Sequence, residues 1–195
     1  GNDFVMAALT DINDPGLLVL PMHRLIKSKT DLSIAMDRLL EHFEIQTMSS
    51  LDLLIKEIEQ RSKYTTSIGL ISSQSPELYL LTLLDNESIL PLFPEHVRGI
   101  WKNVDMATVR YAVMEPALGM PKDEIAYNEH VTYSENAQSA ASEVRKGKYQ
   151  FAILVNPVPP QQIISVADAG QTMPQKSTFF YPKLPTGLLI NQLDA

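Results

Sequence analysis

The chain has 195 residues, 45% of them hydrophobic, enough to bury one substantial core without disulfides or metals. It contains no cysteine, which excludes disulfides, thiolate metal sites and thiol nucleophiles, and its formal charge of −7 argues against a nucleic-acid partner. No apolar run approaches the roughly 20 residues that span a bilayer, and no basic-then-apolar opening reads as a signal peptide, so a soluble, cytoplasmic protein without a membrane partner is expected.

In chain order, residues 4–12, the turn Asn13-Asp14-Pro15-Gly16 and residues 17–26 read as a β-hairpin. Thr30 is placed to cap a helix over 31–43, with Leu32, Ala35, Met36, Leu39, Leu40 and Phe43 on one face. A short strand over 44–47 follows, then a helix opened by Ser50 with Leu51, Leu54, Ile55 and Ile58 inward. Residues 67–71 and 78–84 are rich in β-formers and flank a Ser-Gln-Ser-Pro turn, which predicts a second hairpin. From Asp85 to Asn103, Pro91 and Pro94 forbid one long helix, leaving a loop with a short helix near 96–100.

Asp105 opens a helix to about Leu118, ended by Gly119. Residues 125–133 read as strand, Ser134 caps a helix stopped by Gly147, and 151–155 is a buried strand. A further helix enters through Pro157, Pro159 and Pro160 and ends at Gly170, and short strands are expected at 178–181 and 187–190. Together these predict one mixed α/β domain over residues 2–195: a mixed sheet built from two hairpins and strand–helix units, with helices packed against it. Gly1 reads as a cleavage scar, and the apolar opening implies that a longer protein once preceded it.

Chemistry-bearing residues are sparse. Gly170 precedes Lys176-Ser177 by six residues, as in a phosphate-binding loop, but Gln175 stands where that loop needs glycine, and Phe179-Phe180-Tyr181-Pro182 follows instead of a helix. Lys176, Ser177, Thr178 and Lys183 nevertheless place two ammonium groups and two hydroxyls within eight residues, either around an anionic ligand or in a polar turn before an edge strand. His23 beside Arg24 offers an imidazole and a guanidinium for acid chemistry or phosphate binding, or for structural hydrogen bonds. The histidines at 23, 42, 96 and 130 show no metal spacing, so no metal site is expected. No Gly-x-Ser-x-Gly elbow is present.

The run Met173-Pro174-Gln175-Lys176-Ser177-Thr178-Phe179-Phe180-Tyr181-Pro182-Lys183-Leu184-Pro185-Thr186-Gly187-Leu188 resembles the C-terminal signature of the bacterial and archaeal family called domain of unknown function 1015. Asn156-Pro157, Ala167-Asp168-Ala169-Gly170 and Leu20-Pro21-Met22-His23-Arg24-Leu25 resemble further parts of it, while Phe180 and Pro185 depart from the usual tyrosine and leucine. The resemblance implies an absent N-terminal half bearing an Asp-Gly-His-His-Arg motif, which does not occur here, in a region similar to the ParB and sulfiredoxin fold and to archaeal free-serine kinases. It further implies ATP or ADP with magnesium as cofactors of the longer protein, which would be a kinase-like phosphotransferase or nucleotidase, and little catalysis by this part alone.

Two functions are carried forward from this reading. In one, His23, Arg24, Asn156, Lys176, Ser177 and Lys183 line a ligand cleft shared with the N-terminal domain of the same chain. In the other, the chain is a non-catalytic structural or dimerisation module, with an apolar patch near residues 4–9 and a homodimer as its form.

Overall fold

The computed structural model describes residues 7–123, 129–185 and 187. A six-stranded sheet organises the chain, with strand order β3-β5-β4-β7-β2-β6. Its members are β2 (His23–Ile26), β3 (Phe43–Met48), β4 (Ser67–Ser72), β5 (Leu78–Leu83), β6 (Val131–Ser134) and β7 (Phe151–Leu154). Every pairing is antiparallel. A separate ribbon pairs β1 (Leu18–Leu20) with β8 (Phe179–Tyr181), also antiparallel.

Alternation along the strands sends side chains to two cores. One face, carrying Ile26, Phe43, Leu70, Leu81 and Ile153, packs on α1 (Leu32–Leu39) and on the irregular helical stretch that follows β5. That stretch consists of α3 (Asn86–Ile89), 3₁₀ turns at Leu90–Leu92 and Glu95–Val97, α4 (Arg98–Trp101) and α5 (Asp105–Thr108). The opposite face, carrying Leu25, Ile71, Leu80 and Leu154, packs on α2 (Leu51–Arg61) and α6 (Ala137–Arg145). A further helix, α7 (Pro160–Asp168), contributes Val166 to the first core. The mixed α/β class with helices packed against the sheet is therefore observed.

Local signals placed several elements correctly. Ser50 accepts the Leu53 N–H at 3.2 Å and opens α2, which buries Leu54 and Ile58. The β4–β5 hairpin forms as expected, and Arg145 of α6 fastens its turn by donating to the backbone carbonyls of Ser75 and Pro76. At Gly69 in β4, an added Cβ would lie 3.0–3.1 Å from Leu54, Ile58 and Leu154, so the absence of a side chain there sets how closely α2 approaches the sheet.

The first hairpin does not form. Residues 7–12 are irregular, residues 4–6 lie outside the described set, and Pro21 divides the apolar run so that β1 and β2 enter different sheets. β1 finds its partner about 160 residues away, while β2 is inserted between β7 and β6. Phe43 leaves the first helix, which ends at Leu39, because it opens β3 opposite Leu83. Asp31 occupies the N-cap of α1, and the Thr30 hydroxyl instead donates to the Leu118 carbonyl at 3.0 Å.

The helix from Asp105 widens into a π-helix at Val109–Met114, where the Glu115 N–H reaches the Arg110 carbonyl at 3.0 Å. In the wider turn, residues five apart share a face, and Arg110 Nε lies 3.0 Å from Glu115 Oε1 in a largely buried ion pair. The helix after β6 is capped by Asn136, whose side chain accepts from Ser139 N–H at 2.7 Å; Ser134 ends β6. Of the expected strand at 125–133, residues 125–128 are outside the described set, as is nearly all of the one at 187–190.

Candidate functional site

Because neighbours on a strand point to opposite faces, β2 separates the two side chains that stand together in the sequence. His23 points to the α2/α6 side with Leu25, and Arg24 to the other side with Ile26. His23 is 5% exposed, and its Nδ1 accepts the Val155 N–H at 3.2 Å. Burial, together with the adjacent Arg24 charge, lowers its pKa from 6.5 to about 4, so the ring is neutral at physiological pH with its proton on Nε2.

Asn156 lies just beyond β7, and its amide closes the C-terminal end of α2 by donating to Ile58 O at 3.1 Å and Ser62 Oγ at 2.7 Å. Those two acceptors define a structural task.

Arg24 meets the C-terminal loop. Its Nη1 donates to Met22 O at 2.9 Å and to Met106 Sδ at 3.1 Å, and its Nη2 to Lys176 O at 3.4 Å. The guanidinium also lies 5.7 Å from the centre of the Tyr133 ring, which faces it across the β2–β6 pairing. Lys176 adopts a left-handed φ of 53°, uncommon for a residue with a side chain, and its ammonium is exposed. Ser177 is buried, and its hydroxyl donates to Pro174 O, closing the loop on itself. A strand, β8, follows the loop, so there is no helix N-terminus to receive a phosphate there.

Lys183 stands apart, with its ammonium 4.3 Å from the centre of the Phe179 ring. It lines a groove of about 890 Å³ between the ribbon and the segment leading into it, whose walls include Leu9, Ile12, Leu17, Phe180 and Leu184. Leu9 is 97% and Leu184 72% exposed, and Leu18 and Tyr181 are half exposed beside them. Among the described residues no group of three His, Asp or Glu side chains could hold a metal ion, and no helix is long and apolar enough to cross a membrane.

The structure thus brings Arg24, Lys176 and Ser177 together, sets His23 and Asn156 on the far side of the sheet, and places Lys183 at the groove. Met106 and Tyr133 complete the Arg24 surroundings, and no linear pattern marks either. Their proximity is created by long-range strand pairing and by a helix from a different part of the chain. Asp105, at the opening of α5, is half-buried, accepts the Thr66 hydroxyl at 2.6 Å, and has its carboxyl raised above the usual range by burial, a shift that the Thr66 bond opposes.

A family model described as "Protein of unknown function (DUF1015)" matches residues 1–107, more than half of the chain. The chain belongs to this family. The match lies over the first half, upstream of the 173–188 run that carries the longest resemblance. Among solved structures, a conserved hypothetical protein from Pyrococcus furiosus is similar at a TM-score of 0.51 and 16% identity, over 91% of this chain and 62% of that one. A free serine kinase in complex with AMP is similar at a TM-score of 0.47 and 14% identity, over 89% of this chain and 57% of that one. Likeness at this identity speaks to the fold alone, and the chain spans only about three fifths of the length of the Pyrococcus protein. No curated protein matches the chain.

Proposed function

We propose that this DUF1015 chain is the C-terminal part of a two-part protein, in which the ribbon groove seats the N-terminal part and the loop at 170–178 with Lys183 borders the cleft formed between them. The carrying observation is the groove itself: an open, largely apolar groove of about 890 Å³ with Leu9 97% and Leu184 72% exposed. Contiguous exposed apolar surface on a soluble domain marks an interaction site. The occupant is argued from length, since the Pyrococcus protein continues for more than a third of its length beyond the part this chain covers.

In this reading the partner contributes the reacting groups, because among the described groove residues only Lys183 and Asp14 carry charge, and Asp14 already accepts the Gly16 N–H at 2.8 Å. The whole protein would handle a small hydroxyl substrate and a nucleotide with magnesium, as a small-molecule kinase does. The second reading, a structural module without a ligand, is favoured by one observation: His23 Nδ1 and Asn156 Nδ2 are engaged in internal hydrogen bonds.

The test is binding in trans. The isolated N-terminal part should bind the 195-residue chain, and a Leu9→Glu, Leu184→Glu double variant should weaken binding at least about tenfold with unchanged thermal stability, since both side chains are exposed. ATP or ADP with magnesium should stabilise the joined protein and not the chain alone. No binding, or binding indifferent to the two charges, overturns the docking role. Binding with no nucleotide effect selects the structural module.

A further inference from the structure

Arg24 is 2% exposed and permanently charged, yet all of its partners are neutral: two backbone carbonyls, a thioether and an aromatic face. Among the described residues no carboxylate pairs with it. Burying a charge without a counter-charge is costly, and folded chains seldom do so unless the charge has a use.

The guanidinium is unevenly satisfied. Nη1 is used twice, at 2.9 and 3.1 Å, whereas Nη2 reaches only the Lys176 carbonyl, at 3.4 Å, and Nε donates to no acceptor. The Nε–Nη2 edge carries the two parallel N–H groups that grip a carboxylate or a phosphate in two-pronged fashion. Its single occupant belongs to a loop held in a left-handed turn at Lys176, whose exposed ammonium lies on the same loop.

We propose that Arg24 is an anion receptor covered by residues 174–178: an oxyanion group of a small ligand, phosphate or carboxylate, displaces the Lys176 carbonyl and occupies the Nε–Nη2 edge. The loop then acts as a strap whose carbonyl holds the edge in the free protein, and the Lys176 ammonium supplies the second charge. Release of one long bond to a neutral carbonyl, in exchange for two bonds to an opposite charge, favours the exchange. This site does not depend on the groove or on any further part of the protein, so the two ideas fail separately.

The experiment is a thermal-shift titration of the 195-residue chain with inorganic phosphate and with acetate against sodium chloride of matched ionic strength. At roughly five times its Kd, a bound anion should raise the Tm by about 2–4 °C. Arg24→Met should abolish the shift, and Arg24→Lys, which keeps the charge but lacks the paired edge, should retain less than about a third of it. Amides at 175–178 should exchange faster in wild type with the anion present, because the strap is released, while the sheet exchanges more slowly.

That exchange measurement needs no variant, so it stands even where Arg24→Met does not fold. A response to phosphate alone identifies a tetrahedral ligand group, and a response to both anions identifies an oxyanion site that also takes carboxylates. The proposal is overturned if neither anion exceeds the salt control, if Arg24→Lys shifts as much as wild type, or if exchange at 175–178 does not rise.

Discussion

Replacing His23 by Asn isolates the cost of burying an imidazole at the end of β2. The Asn Oδ1 can accept the Val155 N–H as Nδ1 does, but it does not titrate. Because burial lowers the folded pKa from 6.5 to about 4, the unfolded chain binds more protons than the native one between those values, and stability falls as pH drops through that window. At pH 7 the contribution is fully present. By pH 5 wild type should have lost about 2 kcal/mol relative to His23→Asn, and by pH 4 about 3 kcal/mol, from the linkage relation at 1.36 kcal/mol per unit. Other groups titrate equally in both proteins, so the quantity to follow is the difference in urea-derived stability between variant and wild type at pH 7, 6, 5 and 4.5. In melting temperature, 2 kcal/mol corresponds to about 4–8 °C for a chain of this size. A difference that stays constant from pH 7 to 5 would refute the reasoning, because it would mean the ring remains hydrated or charged in the native state.

Three further outcomes follow from the same packing. Gly69→Ala should cost about 1–3 kcal/mol in urea unfolding, since the new methyl would press on Leu54, Ile58 and Leu154 at 3.0–3.1 Å. Asn156→Ala should cost about 1 kcal/mol and increase amide exchange in the last turn of α2, by removing the donor of Ser62 Oγ and the second donor of Ile58 O, which keeps its bond from the Ser62 N–H at 3.0 Å. Asp105→Asn should stabilise the protein at pH 7, because burial outweighs the Thr66 bond and holds the carboxyl above its ordinary range; the gain should disappear below about pH 4, where Asp is protonated in folded and unfolded chains alike.

What the sequence disclosed was local. Ser50 with Leu54 and Ile58 defined α2, the Ser-Pro turn after Ser72 defined the β4–β5 hairpin, and Gly147, with its φ of 74°, marked the end of α6. What it withheld was partnership. The apolar run at 17–26 carries the composition of a hairpin arm, yet β1 pairs with β8 and β2 lies between β7 and β6, because strand partners are chosen by core packing over long separations. The site suffered for the same reason. His23 and Arg24 are adjacent in sequence but lie on opposite faces, whereas Arg24 and Lys176, 152 residues apart, are in contact. Composition patterns singled out the polar residues, but they could not show that Asn156 serves a helix end or that an exposed apolar groove borders Lys183.

The most direct test of the two-part account is hydrogen–deuterium exchange on the 195-residue chain, alone and within the longer polypeptide that carries the N-terminal part. If the groove seats that part, amides at 8–17 and 180–184 should slow by about tenfold or more in the longer protein, while those of β4 and β7, already at the centre of the sheet, should change little. Equal exchange at 8–17 and 180–184 in the two proteins would contradict it.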